Sequence, residues 1–126
     1  MLVLDSGGLS RLAERSTAGL ALFNEIRNTG LWPPIVPTAV LVESLRGDPG
    51  SDAPTNRLLK TCDIVDVVSE RLARRAAALR TQADRGSAVD ALVVATAEPG
   101  GTILTSEPGD LEALAAHARN VRIQTV

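Results

Sequence analysis

An α/β fold with a mainly parallel sheet of four to five strands is predicted by two patterns in this chain of 126 residues. Short apolar runs that resemble buried strands alternate with longer stretches of helical periodicity. The first run, Leu2–Leu4, is apolar on both faces, as central strands of parallel sheets are. Helices covering both faces of such a sheet give three α/β/α layers, and the length suits one domain over residues 1–126.

The first half of the chain supplies three of the predicted strands and four helical segments. Gly30 is expected to stop the second helix, and Thr38 to cap the third. In chain order the elements are strand Leu2–Leu4, helices Leu9–Glu14 and Ala18–Thr29, strand Ile35–Val36, helix Thr38–Arg46, the breaker Gly47–Gly50, a helical segment Ala53–Lys60 and strand Asp63–Val68.

The second half begins with the clearest amphipathic helix, which Ser69 is expected to cap. Ser87 opens the next helix, whose stretch Ala91–Ala97 is apolar all round and is therefore predicted to be buried against the sheet. The remaining elements are strand Ile103–Leu104, helix Leu111–Ala118 and strand Val121–Ile123.

The composition excludes several classes of function. No apolar run approaches the roughly 20 residues that span a bilayer, and the N-terminus lacks a secretion signal, so a cytoplasmic protein without membrane contact is expected. Cys62 and His117 are the only residues of their types, which is too few for a thiolate or imidazole zinc site. We expect Cys62 to be a small buried hydrophobe and His117 to lie on the surface.

The charge argues against a protein that coats nucleic acid, because the net value is −2. Twelve of the thirteen basic residues are arginines, however, and the guanidinium fork suits phosphate oxygens. A GC-rich genome explains the arginine excess equally well.

Four carboxylates stand next to apolar segments, with no Lys or Arg closer than three residues in sequence: Asp5, Glu43, Asp90 and Asp110. An ionised carboxylate in an apolar setting is costly unless a cation or hydrogen bonds compensate it. All four are predicted to lie near the carboxyl ends of parallel strands, which meet at one edge of the sheet and there form the ligand crevice. Glu107, a neighbour of Asp110, belongs to the same edge.

Each acid also has a purely structural explanation. Asp5 suits a cap after a strand, and Ser87–Asp90 resembles a capping box. Glu43 could sit on a solvated helix face, while Glu107 and Asp110 could complement a helix N-terminus. An accidental gathering of all these acids on one edge is the weaker explanation, so we interpret them as a site.

Oxygen ligands without thiolates or imidazoles indicate Mg²⁺ or Mn²⁺ rather than zinc. Such an ion among carboxylates is suited to phosphodiester hydrolysis. Gly7-Gly8 does not satisfy a P-loop or dinucleotide pattern. No Ser–His–Asp triad competes, because the only histidine, His117, is predicted to lie on the surface near the end of a polar helix.

The order and setting of these acids resemble those of PIN domains, specifically the VapC-type toxins of toxin–antitoxin pairs. The matching segments cover nearly the whole chain, and they are Val3–Ser6, Val40–Glu43, Val89–Ala97 and Leu104–Leu111. The resemblance implies a PIN-like fold and an Mg²⁺- or Mn²⁺-dependent endoribonuclease that cuts tRNA or other structured RNA. It also implies a homodimer that a VapB-type antitoxin holds inactive.

Carried over by residue, the resemblance makes Asp5 and Asp90 the principal metal ligands and Glu43 a further ligand. Asp110 matches the fourth acid, with Glu107 as the alternative. Ser6 matches a small hydroxyl residue that orders the site. Gly7 departs from the usual Ser, Asn or Ala and is expected to loosen the first loop.

Arginines near the acid-bearing elements are candidates for contact with RNA, and these are Arg11, Arg15 and Arg46. Solvated surface arginines explain them equally well. The early helices carry more apolar residues than one face needs, which indicates a dimer contact or an antitoxin groove; the residues are Leu20, Leu22, Phe23 and Ile26.

Two other functions compete with the nuclease. A non-catalytic PIN-like module would bind RNA or a protein without cutting. A receiver-like signalling domain would need an acidic pair after the first strand and a late lysine, whereas this chain has a lone Asp5 and its only lysine is Lys60.

Overall fold

The computed structural model describes residues 1–14 and 16–126, and in this part of the chain five strands alternate with seven helices. The strands are β1 (Leu2–Leu4), β2 (Ile35–Pro37), β3 (Asp63–Val65), β4 (Thr102–Thr105) and β5 (Arg122–Thr125). The helices are α1 (Ser6–Ala13), α2 (Thr17–Asn28), α3 (Thr38–Ser44), α4 (Pro49–Leu59), α5 (Glu70–Ala83), α6 (Ala88–Ala97) and α7 (Pro108–Ala115).

All five strands form one parallel sheet in the order β3-β2-β1-β4-β5, which confirms the predicted α/β class. From the central strand β1 the chain builds outward to β3, returns, and then builds outward to β5. With right-handed crossovers, α1 to α4 cover one face and α5 to α7 the other, giving three layers. The direction of winding changes between β1 and β4, and this switch point is where such sheets bind ligands.

Part of the core lies between the sheet and α6, as the apolar stretch predicted, and the rest lies under the helices of both faces. Five residues of α6 are buried, and they are Ala91, Val93, Val94, Ala95 and Ala97. The helix contacts β1, β2 and β4, so it crosses the middle of the sheet. Its N-terminus, which carries Asp90, is thereby fixed beside the switch point.

The first helix packs closely on the strand beside β1. The backbone nitrogen of Asp5 donates to the carbonyl oxygen of Leu104 in β4. A Cβ atom at Gly8, one turn later, would overlap that same carbonyl oxygen. Only a glycine permits this approach, so Gly8 sets the distance between α1 and β4.

Several element boundaries differ from the predictions for local reasons. Helix α1 begins at Ser6 rather than Leu9, because Asp5 caps it. Thr38 was the wrong cap for α3: the N-cap is Pro37, which makes no side-chain bond. Helix α4 starts inside the predicted breaker, at Pro49, because Asp48 caps it and proline is tolerated in the first turn.

The first helices bury more of their apolar surface than expected. Ile26 belongs to the core, Leu22 and Phe23 pack against it, and Leu20 alone of these four is exposed. His117 is exposed as predicted. Cys62 is partly buried, and burial raises the pKa of its thiol to about 11, so it is not a reactive thiolate. No helix in the described ranges is both long and apolar enough to cross a bilayer.

A buried ion-pair network ties the end of α6 to α5 and to the turn before β5. The Glu98 side chain is 2% exposed and accepts from Arg75 Nε at 2.7 Å and Nη2 at 2.9 Å. It also accepts from the backbone and side chain of Arg119. These bonds, led by Arg75, lower the pKa of Glu98 to about 2.

Replacing Glu98 with Gln is expected to reduce the free energy of unfolding by about 2 kcal/mol at neutral pH, because charge-assisted bonds to two arginines are lost. The folded-state pKa lies below the ordinary 4.5, so this stabilisation is present above 4.5 and is lost as the pH falls toward about 2. Urea melts from pH 7 to pH 2 should show the gap between the two proteins closing. Glu70→Gln, in an exposed pair with Arg74, is the control and should change little; a constant gap would contradict the role of the Glu98 charge.

Candidate active site

A cleft of about 530 Å³ opens at the carboxyl edge of the sheet, at the switch point between β1 and β4. Residues from four separate parts of the chain line it, after β1, in α3, at the start of α6 and after β4. The structure brings all five predicted acids to this cleft, and these are Asp5, Glu43, Asp90, Glu107 and Asp110. Their gathering depends on the parallel sheet, because each follows or faces the same end of a strand.

Asp5 is the most constrained of the acids. It is 8% exposed; its Oδ1 accepts from Gly8 N at 2.7 Å, and its Oδ2 accepts from Thr105 Oγ1 at 2.6 Å. Burial raises the pKa of Asp5, the Thr105 and Gly8 bonds oppose that rise, and the negative charges of Asp90 and Glu107 add to it. The cap that would explain Asp5 structurally is therefore present, and the same carboxylate faces other acids.

Asp90, like Asp5, both helps to cap a helix and lines the cleft. It forms the capping box with Ser87: its Oδ2 accepts from Ser87 N at 3.1 Å, while its own nitrogen donates to Ser87 Oγ at 3.0 Å. The box uses Oδ2 and fixes the side chain at the cleft, where Asp90 is only partly buried. Capping and site formation are thus compatible explanations of one residue.

Glu43 is presented to the cleft from the second turn of α3. Glu43 is exposed to solvent, so its side chain is less constrained than those of Asp5 and Asp90. Partial burial of the carboxyl, followed by the charges of Asp90 and Asp5, raises the pKa of Glu43. Three acids from β1, α3 and α6 therefore repel one another across the cleft.

The two candidates for the fourth acid differ in their surroundings. Glu107 is close enough to Asp5 for its charge to raise the Asp5 pKa, and its nitrogen donates to Thr105 Oγ1 at 3.0 Å. Asp110, in the first turn of α7, pairs instead with Arg85, whose Nη2 lies 3.0 Å from Asp110 Oδ1. The cation that compensates Asp110 lies 25 residues away in sequence, which a search of sequence neighbours does not find.

Thr105 orders the centre of the site, a function predicted for Ser6. Ser6 lines the cleft, but the hydroxyl that bonds Asp5 is that of Thr105, which is fully buried at the end of β4. A hydroxyl has one proton, which Thr105 donates to Asp5 while it accepts from Glu107 N. It therefore couples the segment after β4 to the acid after β1.

Gly7 does not loosen the first loop, contrary to expectation. It lies inside α1, where a Cβ atom would come within 2.9 Å of Ser106 N and would overlap Ser106 Oγ. The glycine is needed because two chain segments meet there, at the floor of the cleft.

Of the arginines predicted to contact RNA, the two that the structure describes, Arg11 and Arg46, are not among the residues that line the cleft. Arg11 lies 3.6 Å from Glu14 on α1, and Arg46 is exposed after α3. Arg15 falls outside the described residues. Arg85, which no sequence pattern indicated, is the one cation among the described residues that line the cleft.

The donor set consists of carboxylate oxygens, which is the chemistry that Mg²⁺ and Mn²⁺ prefer. Within residues 1–14 and 16–126, no group of three or more His, Cys, Asp or Glu side chains forms a ready metal-holding cluster. Glu43 and Glu107 are both exposed, whereas Asp5 is buried and Asp90 is partly buried, so the first two side chains are the less constrained. Neither the scan against protein-family models nor the search of curated proteins finds a match to this chain.

Proposed function

We propose that this chain is a divalent-metal-dependent endoribonuclease of the VapC type. The observation that carries the proposal is a single cleft, at the switch point of a parallel sheet, that contains five carboxylates. Burial, and after it the charges of neighbouring acids, raise the pKa of Asp5 and of Glu43, and a bound cation would offset both effects.

The acids would have different roles in metal binding, according to how firmly their side chains are held. The carboxylates of Asp5 and Asp90 are held by hydrogen bonds and would provide the rigid ligands, while Glu43 would complete the set from an exposed side chain. A bound Mg²⁺ or Mn²⁺ activates water and neutralises charge on a phosphate. Thr105, by donating to Asp5 Oδ2, holds that carboxylate in place for either event.

The assignment as a toxin rests on the resemblance of the segments around Asp5, Glu43, Asp90 and Asp110 to those of VapC proteins. The same resemblance implies an RNA substrate such as tRNA, and a VapB-type antitoxin as the neutralising partner. A homodimer belongs to the same proposal.

Purified protein is expected to cleave structured RNA with Mg²⁺ or Mn²⁺ and to be inactive with EDTA, because the carboxylates alone repel the phosphate. Gel analysis of a labelled tRNA, with each metal and with the chelator, makes the measurement. Either ion should also raise the melting temperature, since an ion that binds only the folded state stabilises it. Lack of both cleavage and a metal-dependent shift would contradict the proposal.

One observation favours a second candidate, a non-catalytic PIN-like module that binds RNA or a protein. The acids of the described residues do not form a ready-made metal cluster. For such a module, RNA or partner binding would be the same with EDTA as with Mg²⁺, and no cut RNA would appear.

A further inference from the structure

We propose that Arg85 forms a phosphate-binding subsite at the rim of the carboxylate cleft, and that Asp110 positions its guanidinium instead of binding the metal. The inference rests on the proposed function, because it names the group that receives the RNA backbone. Its ligand is a backbone phosphate of the RNA next to the one that is cut.

The electrostatics of the cleft call for such a group. Five carboxylates line the cleft and would repel an approaching phosphate. Of the described residues in its lining, Arg85 alone carries a positive charge, and its side chain is 59% exposed. A guanidinium at this place attracts a phosphodiester without occupying the carboxylates.

The backbone at Arg85 is held in place by packing on two sides. Arg80 Nε, on α5, donates to Gly86 O at 3.3 Å. A Cβ atom at Gly86 would come within 2.7 Å of Leu114 Cδ1, so the loop rests directly on α7. The loop between α5 and α6 therefore sets Arg85 above the first turn of α7, where Asp110 lies.

The contact with Asp110 leaves Arg85 able to bind a second anion. Nε donates to Asp110 Oδ1 at 3.1 Å, and Nη2 lies 3.0 Å from the same oxygen. A guanidinium has five N–H groups, so at least three remain for phosphate oxygens. An ion pair this exposed stabilises a fold little, so its effect is to orient the arginine.

Asp110 is also less closely tied to Asp5 than Glu107 is. Glu107 N donates to Thr105 Oγ1, which in turn donates to Asp5, whereas the carboxyl of Asp110 pairs with Arg85. The fourth acid of the cleft is accordingly Glu107.

Binding of a fluorescein-labelled RNA hairpin in EDTA, followed by anisotropy over a range of salt concentrations, tests the subsite without cleavage. Arg85→Gln is expected to bind about tenfold more weakly, with the slope of log K against log salt reduced by about 0.7–0.9, the value for one phosphate contact. Arg85→Lys should retain the slope. Arg74→Gln, which removes an exposed paired arginine elsewhere on the surface, is the matched control and should bind as the wild type does.

A double variant separates phosphate contact from simple neutralisation of Asp110. If Arg85 only cancels that charge, then Arg85→Gln with Asp110→Asn will have the wild-type slope, which overturns the proposal. We expect the double variant to keep the reduced slope. The Mn²⁺-dependent rise in melting temperature should persist in Asp110→Asn, and its loss would show that Asp110 is a ligand.

The two proposals fail separately. RNA binding that depends on Arg85, without cleavage in any metal, contradicts the nuclease and supports the subsite. Cleavage with an unchanged salt slope in Arg85→Gln, or wild-type protein that does not bind the hairpin, overturns the subsite.

Discussion

Replacing Asp5 with Asn is expected to lower metal-dependent RNA cleavage by more than about 100-fold. Substitutions that only disturb the partners of metal ligands already cost about 10- to 100-fold, and Asp5 is proposed as a ligand itself. The comparison is made by initial rates on one labelled RNA at saturating Mg²⁺ or Mn²⁺. Asp66→Asn, an exposed change of the same chemistry outside the cleft, is the control and should cleave at the wild-type rate.

The same substitution should not unfold the protein. Asn can accept from Gly8 N through Oδ1 and can donate to Thr105 Oγ1 through Nδ2, although this reverses the second bond and removes the acceptor of the Thr105 hydroxyl proton. Because the Asp5 pKa is raised above 3.8, the folded state holds more protons than the unfolded state just above that pH, and stability falls as the pH rises through this window. Removing the charge therefore offsets the loss of that acceptor, and the metal-free variant should melt close to the wild-type temperature at pH 7. A folded variant that still cleaves at the wild-type rate would contradict the site.

Replacing Gly8 with Ala is expected to have the largest effect on stability, about 4 kcal/mol. The added Cβ atom would overlap the carbonyl oxygen of Leu104, which is backbone at the centre of the sheet and cannot move aside as a side chain can. Overpacking costs about 1–3 kcal/mol, and a displaced α1 would also lose the bond from Gly8 N to Asp5. Urea denaturation measures the loss.

Gly50 provides a matched control for this substitution. It also lies in the first half of a helix, α4, but a Cβ atom there would have no neighbour within 4 Å. Gly50→Ala should leave stability unchanged or raise it slightly, because alanine favours helix. Equal stabilities of the two variants would contradict the close packing of α1 on β4.

The class of fold could be predicted because it depends on local patterns. Alternating strands and helices indicated a parallel sheet, and the all-apolar stretch of α6 indicated its burial against that sheet. The order of strands, with β1 between β2 and β4, depends on which strands pair across long intervals, and periodicity carries no information on that pairing.

The residues of the candidate site could likewise be predicted where they follow a local pattern, but not where they depend on contacts between distant parts of the chain. Asp5 and Asp90 could be singled out because a carboxylate at the end of a strand or the start of a helix is a local feature. Thr105 and Arg85 could not, since their partners lie 100 and 25 residues away. No sequence pattern singled out Asp52 either, yet it is 6% exposed and accepts from the backbone nitrogens of Arg46 and Gly47.

The bond between Thr105 and Asp5 has a consequence for the order of events during protein synthesis. The two residues lie a hundred positions apart, one on each side of the switch point, and β1 can take its place beside β4 only after the ribosome has made residue 105. In a nascent chain that ends earlier, the acid after β1 therefore lacks one of its two orienting bonds and has no neighbour from the β4 side of the cleft. If the cleft is the ribonuclease site that we propose, an incomplete chain leaving a stalled ribosome before that point is harmless to the RNA around it.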